Sequence, residues 1–288
     1  MTVLEVLTAA AGYLRDHGVE NPRLNAEHLL AHVLGKKRLD LYLEFDRPLS
    51  DAERAPLRDL VRDRGTGKPL QHLLGTAEFF GRSFASDSRA LVPRPETEQL
   101  VELILKDPRC HHDAGMNVLD IGTGSGVIAI TLALQRPLAT VAATDISSEA
   151  LSLARENAVR HSLNGRIAFH EADLFPGGEG SFDWIVANLP YIATAELAIL
   201  QREVQHDPLI ALDGGPDGLC LIRRLIEAAS ARLAPSGMLA MEIGHDQTAE
   251  VVAQLVLQAY RDIGVHKDHQ GFERFVTALS PRRLLGRG

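Results

Sequence analysis

Residues 117–134, NVLDIGTGSGVIAITLAL, constrain the fold of this chain more than any other stretch. The segment opens as an apolar strand, breaks at Gly122, Gly124 and Gly126, and continues as an apolar helix. A strand that feeds a helix through glycines is the first half of a βαβ unit, and its partner strand must return parallel. The rest of the chain repeats that alternation. Strands are expected at 117–121, 140–144, 166–170, 183–187, 237–243, 261–266 and 273–279, with helices between the first six. Only a short turn around His269-Gln270-Gly271 separates the last two, so they must pair antiparallel. The expected class is α/β: a seven-stranded, mostly parallel, doubly wound sheet with one antiparallel strand near its C-terminal end.

A different pattern precedes the sheet. Residues 1–75 read as helices, which predicts a small N-terminal helical domain. VLEVLTAAAGYLRDHG has helical apolar spacing and stops at Gly18. Asn21-Pro22 offers an N-cap and a first-turn proline, and Ser50 with Glu53 offers a capping box for a helix running through Arg64. Residues 76–92 switch to period two with turn residues, which predicts a hairpin linker, and residues 93–288 carry the α/β pattern. The helical segment has no catalytic motif; it is either a plain bundle or a domain that recognises a partner.

Composition excludes several classes. The formal charge of −8 argues against a direct nucleic-acid footprint, because such surfaces carry a basic surplus. The basic tail PRRLLGRG reads as a solvated end. No apolar run approaches the ~20 residues of a membrane helix, and the start MTVLEVLTAA lacks a basic leader. Cys110 and Cys220 show no metal spacing, and His28 with His32 lack further ligands, so no metal is expected. The expectation is a reduced, cytoplasmic protein away from membranes.

The glycine loop predicts a cofactor. Its G-x-G-x-G spacing, with Thr123 and Ser125 between the glycines, differs from the G-x-G-x-x-G of dinucleotide sites. Asp120 just before it would repel a pyrophosphate but suits a cationic amino-acid moiety such as that of S-adenosylmethionine. Asp145, ending the next strand, suits two ribose hydroxyls, although it could instead cap a helix, a role open to Ser147. Asp173 and Leu174, ending the third, fall where an adenine edge would lie. Together these strand ends favour a methyltransferase over a nicotinamide enzyme.

The fourth strand ends in WIVANLPYIA, presenting Asn188, Leu189, Pro190 and Tyr191. Asn and Pro are ordinary turn residues. Placed at the ligand edge of a doubly wound sheet, they also form a grip for a planar NH2 group. The Asn188 side-chain oxygen and the Leu189 carbonyl can accept from its two N–H bonds as positive charge grows on nitrogen, and Tyr191 can stack on its plane.

These segments, with GKPLQHLLGTAEFFG, LVPRPETEQLV and ALDGGPDGL, make the chain resemble the HemK/PrmC family of protein-(glutamine-N5) methyltransferases over nearly its whole length. The resemblance implies the class I S-adenosylmethionine-dependent methyltransferase fold and transfer to the glutamine of the Gly-Gly-Gln motif in class I peptide chain release factors. It assigns Gly122–Gly126, Asp145, Leu174 and Asn188 to the donor and Asn188–Tyr191 to the substrate amide, with Glu96 and Glu98 supporting the site from behind. Two positions depart from the family pattern. Leu189 stands where Pro is usual, which loosens the φ restraint of that loop. Leu174 stands where a larger aromatic is common. Two other readings stay open: an adenine-N6 methyltransferase of nucleic acid, against which the charge weighs, and a non-catalytic protein that keeps the donor fold.

Overall fold

The computed structural model describes residues 1–110, 115–178 and 180–282. The chain forms two compact units: residues 1–77 together with 201–206, and residues 78–200 together with 207 onward.

The first unit is helical. Helix α1 (Val3–Asp16) begins at a Thr2/Glu5 capping box, and α3 (Asp51–Gly65) begins at the expected Ser50/Glu53 box. Between them lies α2 (Pro22–Leu34), and α4 (Leu70–Leu74) follows. Asn21 differs from expectation: it sits at φ 49° and its side chain caps nothing. The α2 start is instead held through the Asn21 carbonyl, which accepts from the Asn25 N–H and Nδ2. Val3, Leu7, Leu14, Leu29, Leu30 and Leu41 are fully buried between the helices. Each such side chain contributes ~1.5–3 kcal/mol through removal from water. Buried Arg64 bonds the Asn25 Oδ1 at 2.7 Å and the Lys68 carbonyl at 3.1 Å, and pairs with Glu203, which fastens segment 201–206 to this unit.

The unit boundary falls within a hairpin of β1 (Thr76–Phe79) and β2 (Arg82–Ala85). The second unit continues with α5 (Pro95–Lys106), β3 (Asn117–Ile121), α6 (Val127–Gln135), β4 (Thr140–Asp145), α7 (Ser148–Arg160), β5 (Ile167–Glu171) and β6 (Phe182–Ala187). Then come α8 (Cys220–Arg232), β7 (Leu233–Glu242), α9 (Thr248–Leu257), β8 (Arg261–Lys267) and β9 (Glu273–Leu279). The sheet has seven strands in the order β5-β4-β3-β6-β7-β9-β8. All neighbours are parallel except β9, which runs antiparallel to both β7 and β8.

Period-two alternation builds two cores. Val118, Trp184, Val186 and Met238 pack in one cluster with residues of α5 and α6. Leu119, Ile121, Ile185 and Leu239 pack in another with residues of α8 and α9. Two elements differ from the sequence reading. No α-helix lies among the described residues between β5 and β6, where Pro176-Gly177-Gly178 denies the segment both a donor and helical propensity. Strand β7 starts at Leu233, earlier than expected, and shifts register against β6 between Phe182 and Trp184.

The order places β4 and β5 on one side of β3 and β6 on the other. This reversal opens a crevice at the carboxyl ends of β3 and β6, where Ile121 pairs with Ala187. The residues that follow, Gly122 and Asn188, therefore leave the sheet side by side.

Candidate active site

The loop after β3 takes a shape that side chains resist. Gly122, Gly124 and Gly126 lie at φ 69°, 55° and 84°. A Cβ on Gly122 would come within 2.8 Å of the Leu189 Cδ2, so the first glycine also makes room for the loop after β6. The loop is braced from behind. The Thr123 hydroxyl donates to Asp120 Oδ2 at 2.6 Å, and the Ala129 N–H donates to the same oxygen at 3.1 Å. Asn157, fully buried on α7, donates from Nδ2 to the carbonyls of Ser125 and Ala85.

A cavity of about 610 Å³ opens in front of this loop, within the range of small-molecule sites. Its lining gathers the ends of four strands: Gly122–Ser125 after β3, Asp145–Ser147 after β4, Asp173 and Leu174 after β5, and Asn188–Pro190 after β6. Asp145 uses Oδ2 to accept from the Gly124 N–H at 2.9 Å and Oδ1 to accept from the Ser147 N–H at 2.9 Å. Burial nevertheless raises its carboxyl above the usual range. Ser147 itself caps α7, accepting from the Ala150 N–H, so the capping role does not fall to Asp145. Asp173 is half-exposed and paired with Arg224 at 2.7 Å. Leu174 sits at φ 67°, and its carbonyl accepts from the Thr144 hydroxyl at 2.6 Å.

Asp120 differs from its expected place. It is wholly buried and absent from the cavity lining, because its carboxylate turns inward to hold the loop. Burial pushes its carboxyl up to about 7, and Oδ1 has no partner among the described residues.

The residues after β6 divide between two cavities. Asn188, buried Leu189 and Pro190 line the first. The Asn188 Nδ2 donates to the Thr97 hydroxyl at 3.0 Å, while its Oδ1 accepts no bond from a described residue. Tyr191 faces a neighbouring cavity of about 580 Å³, with its hydroxyl 3.5 Å from Glu242 Oε1. Its carbonyl accepts from the Gln247 side chain at 2.8 Å. Burial raises the Tyr191 phenol. Glu96 and Glu98 are half-buried and outside both linings; between them, Thr97 is buried and lines the first cavity. The Thr97 hydroxyl also donates to Oε2 of Glu242 at 2.8 Å.

Thr97, Asn157, Glu242 and Gln247 were not read from the sequence. Glu242 carried a signal nonetheless: it is a carboxylate ending an otherwise apolar strand, GMLAMEIG.

Comparison with known proteins matches the chain to a family. Residues 5–75 match the PrmC N-terminal domain and residues 97–210 the methyltransferase small domain. The release factor glutamine methyltransferase of Geobacter sulfurreducens is 44% identical over 277 residues, 96% of this chain and 95% of that one. The chain belongs to the release factor glutamine methyltransferase family. The member from Deinococcus radiodurans is 41% identical, over 96% of this chain and 98% of its own. Solved structures agree at the level of fold. A methyltransferase from Pyrococcus furiosus gives a TM-score of 0.53 at 21% identity, over 70% of this chain and 91% of that one. A human methyltransferase 10 domain containing protein gives 0.54 at 19%, over 71% and 90%. The glycine loop and crevice therefore belong to a methyltransferase, and among the described residues no helix is long and apolar enough to cross a membrane.

Proposed function

We propose that this enzyme transfers a methyl group from S-adenosylmethionine to the side-chain N5 of the glutamine in the Gly-Gly-Gln motif of class I peptide chain release factors. The observation that carries the reading is Asn188. It leaves the sheet beside the glycine loop, lines the cavity, and keeps its amide oxygen unengaged by described residues.

The cavity suits the donor. Its glycines leave the backbone bare where a ligand must approach closely, and Asp145 is held by two backbone N–H groups with its carboxylate on the lining. Gly122–Gly126 would hold the amino-acid end, with Asp120 acting through the loop it braces. Asp145 would hold the ribose, and Asp173 and Leu174 would border the adenine. When bound, S-adenosylmethionine supplies an electrophilic methyl on a sulfonium whose leaving group is neutral.

The protein's part is orientation. A glutamine nitrogen is a poor nucleophile while its lone pair is delocalised. Asn188 Oδ1 and the Leu189 carbonyl accept from its two N–H bonds, and both bonds strengthen as charge grows on nitrogen. Pro190 stiffens the loop that carries them. Glu96 and Glu98 support this arrangement from α5. The helical unit, residues 1–75, would recognise the release factor, leaving residues 93–288 to the chemistry and 76–92 as linker. No basic recognition stretch interrupts the net charge of −8, which favours a protein partner over nucleic acid.

The test is mass spectrometry of release factor incubated with donor and enzyme. A gain of one methyl on the Gly-Gly-Gln glutamine is expected with the native protein. Asn188→Ala should turn over ~10²–10³-fold more slowly at saturating donor. Full activity in Asn188→Ala, or methylation of nucleic acid and not of release factor, would overturn the reading.

A further inference from the structure

We infer that Thr97 and Glu242 are positioning residues that fix which end of the Asn188 carboxamide faces the cavity. The inference deepens the proposed function and rests on it for the role of Asn188.

The argument follows one proton. The Thr97 hydroxyl stands between Asn188 Nδ2 at 3.0 Å and Glu242 Oε2 at 2.8 Å, and it has only one proton to donate. An ionised carboxylate accepts and cannot donate, so that proton must point at Glu242. The hydroxyl then offers Asn188 only a lone pair, which the amide meets with its NH2. The Asn188 oxygen is left facing away from Thr97, as the acceptor the substrate amide needs.

A protonated Glu242 removes the constraint. Its O–H can donate to Thr97, whose own proton is then free to turn toward Asn188. The carboxamide can accept that proton with its oxygen and rotate its NH2 into the cavity, where it would repel a substrate NH2.

The surroundings hold Glu242 near this balance. It is 2% exposed at the end of β7. Arg274 on β9 favours the ionised form, Glu96 on α5 opposes it, and Tyr191 adds its hydroxyl at 3.5 Å. Burial dominates and pushes the carboxyl up to about 7. Neither a glutamine amide nor a sulfonium titrates in this range, so the acid side of the rate profile belongs to the protein.

The experiment combines kinetics with NMR on the full-length enzyme and a Gly-Gly-Gln peptide or intact release factor. Thr97→Val keeps the shape and removes the hydroxyl; its kcat should fall ~10–100-fold, as for an outer partner that orients a working group, with donor affinity by calorimetry within about twofold. Thr97→Ser should recover most of the rate. Glu242→Gln should flatten the rise of kcat between pH 6 and 8. Independently of any substrate, the Asn188 side-chain NH2 resonance, assigned by its loss in Asn188→Asp, should titrate with pH in the native protein and stop titrating in Thr97→Val and Glu242→Gln. An equal loss in Thr97→Ser and Thr97→Val, or an Asn188 resonance indifferent to pH and to both substitutions, would overturn the inference. Absence of glutamine methylation by the native enzyme, with the resonance behaving as expected, would instead overturn the substrate assignment and leave the positioning intact.

Discussion

Gly122→Ala tests whether the glycine loop after β3 and the loop after β6 are sterically one unit. Two costs follow from the structure. The residue lies at φ 69°, and an L side chain in that region costs roughly 1–2 kcal/mol. The new Cβ would also sit 2.8 Å from Leu189 Cδ2. Overpacking costs ~1–3 kcal/mol in general, and because Cδ2 ends a rotatable side chain the low end, ~1 kcal/mol, applies. The single substitution should therefore destabilise by ~2–3 kcal/mol. Leu189→Ala removes a buried side chain at a cost of ~2–5 kcal/mol and clears the space. In the double variant the collision vanishes, so it should be more stable than the sum of the single effects implies by ~1 kcal/mol. Urea unfolding of the four proteins, with unchanged m-values, measures this coupling. Additivity within ~0.3 kcal/mol would refute the contact, and a single-variant cost below ~0.5 kcal/mol would refute the backbone argument as well.

Asp145→Ala should weaken S-adenosylmethionine binding by ~1.5–3 kcal/mol, the worth of hydrogen bonds to a charged group; unchanged affinity in calorimetry would remove Asp145 from the donor site. Leu189→Pro loses no hydrogen bond to a described residue, since none is donated by the Leu189 N–H, and the position is not among those with positive φ. It should turn over as fast or faster at saturating donor while melting lower for want of the buried leucine, and a tenfold fall in kcat would count against it. The contributions of Asp120 and Glu242 to stability should fall as pH rises from about 5 to 8, against the opposite trend from His28, His161 and His266, whose imidazoles burial holds below the usual range. The buried carboxyls of Asp120 and Glu242 titrate near 7 in the fold against 3.8 and 4.5 unfolded, so the native state binds more protons across that window. Each contributes on the order of 3 kcal/mol to the change, and Asp120→Asn should flatten the curve seen by urea unfolding at pH 5.5 and 8.

The strands were legible because burial on both faces leaves short, nearly continuous apolar runs, and the glycine loop was legible because few backbones need three glycines so close together. The site was legible where one strand end carries it: Asn188 follows directly from the register of β6 against β3. What escaped were contacts between distant parts of the chain. Thr97 and Glu242 are 145 positions apart and meet only because β7 lies beside β6 with α5 packed near its end. Glu96 and Glu98 are conspicuous in sequence by their charges, while the hydroxyl between them is not. Asp120 was assigned to the ligand from its charge, yet a carboxylate beside a tight turn can equally satisfy the turn's own donors, and here Thr123 and Ala129 claim it.

The place of β9 in the sheet has a consequence for truncated chains. The last strand in chain order among the described residues is an interior one, with β7 on one side and β8 on the other. Without residues 273–279, β8 has no neighbour to pair with, and the flank of β7 from Met238 to Glu242 stands open. Such an edge is a template for pairing with another chain. Completion of the sheet therefore waits on residues 273–279, and a chain truncated anywhere before Glu273 would keep its glycine-loop residues but carry an unfinished, adhesive edge.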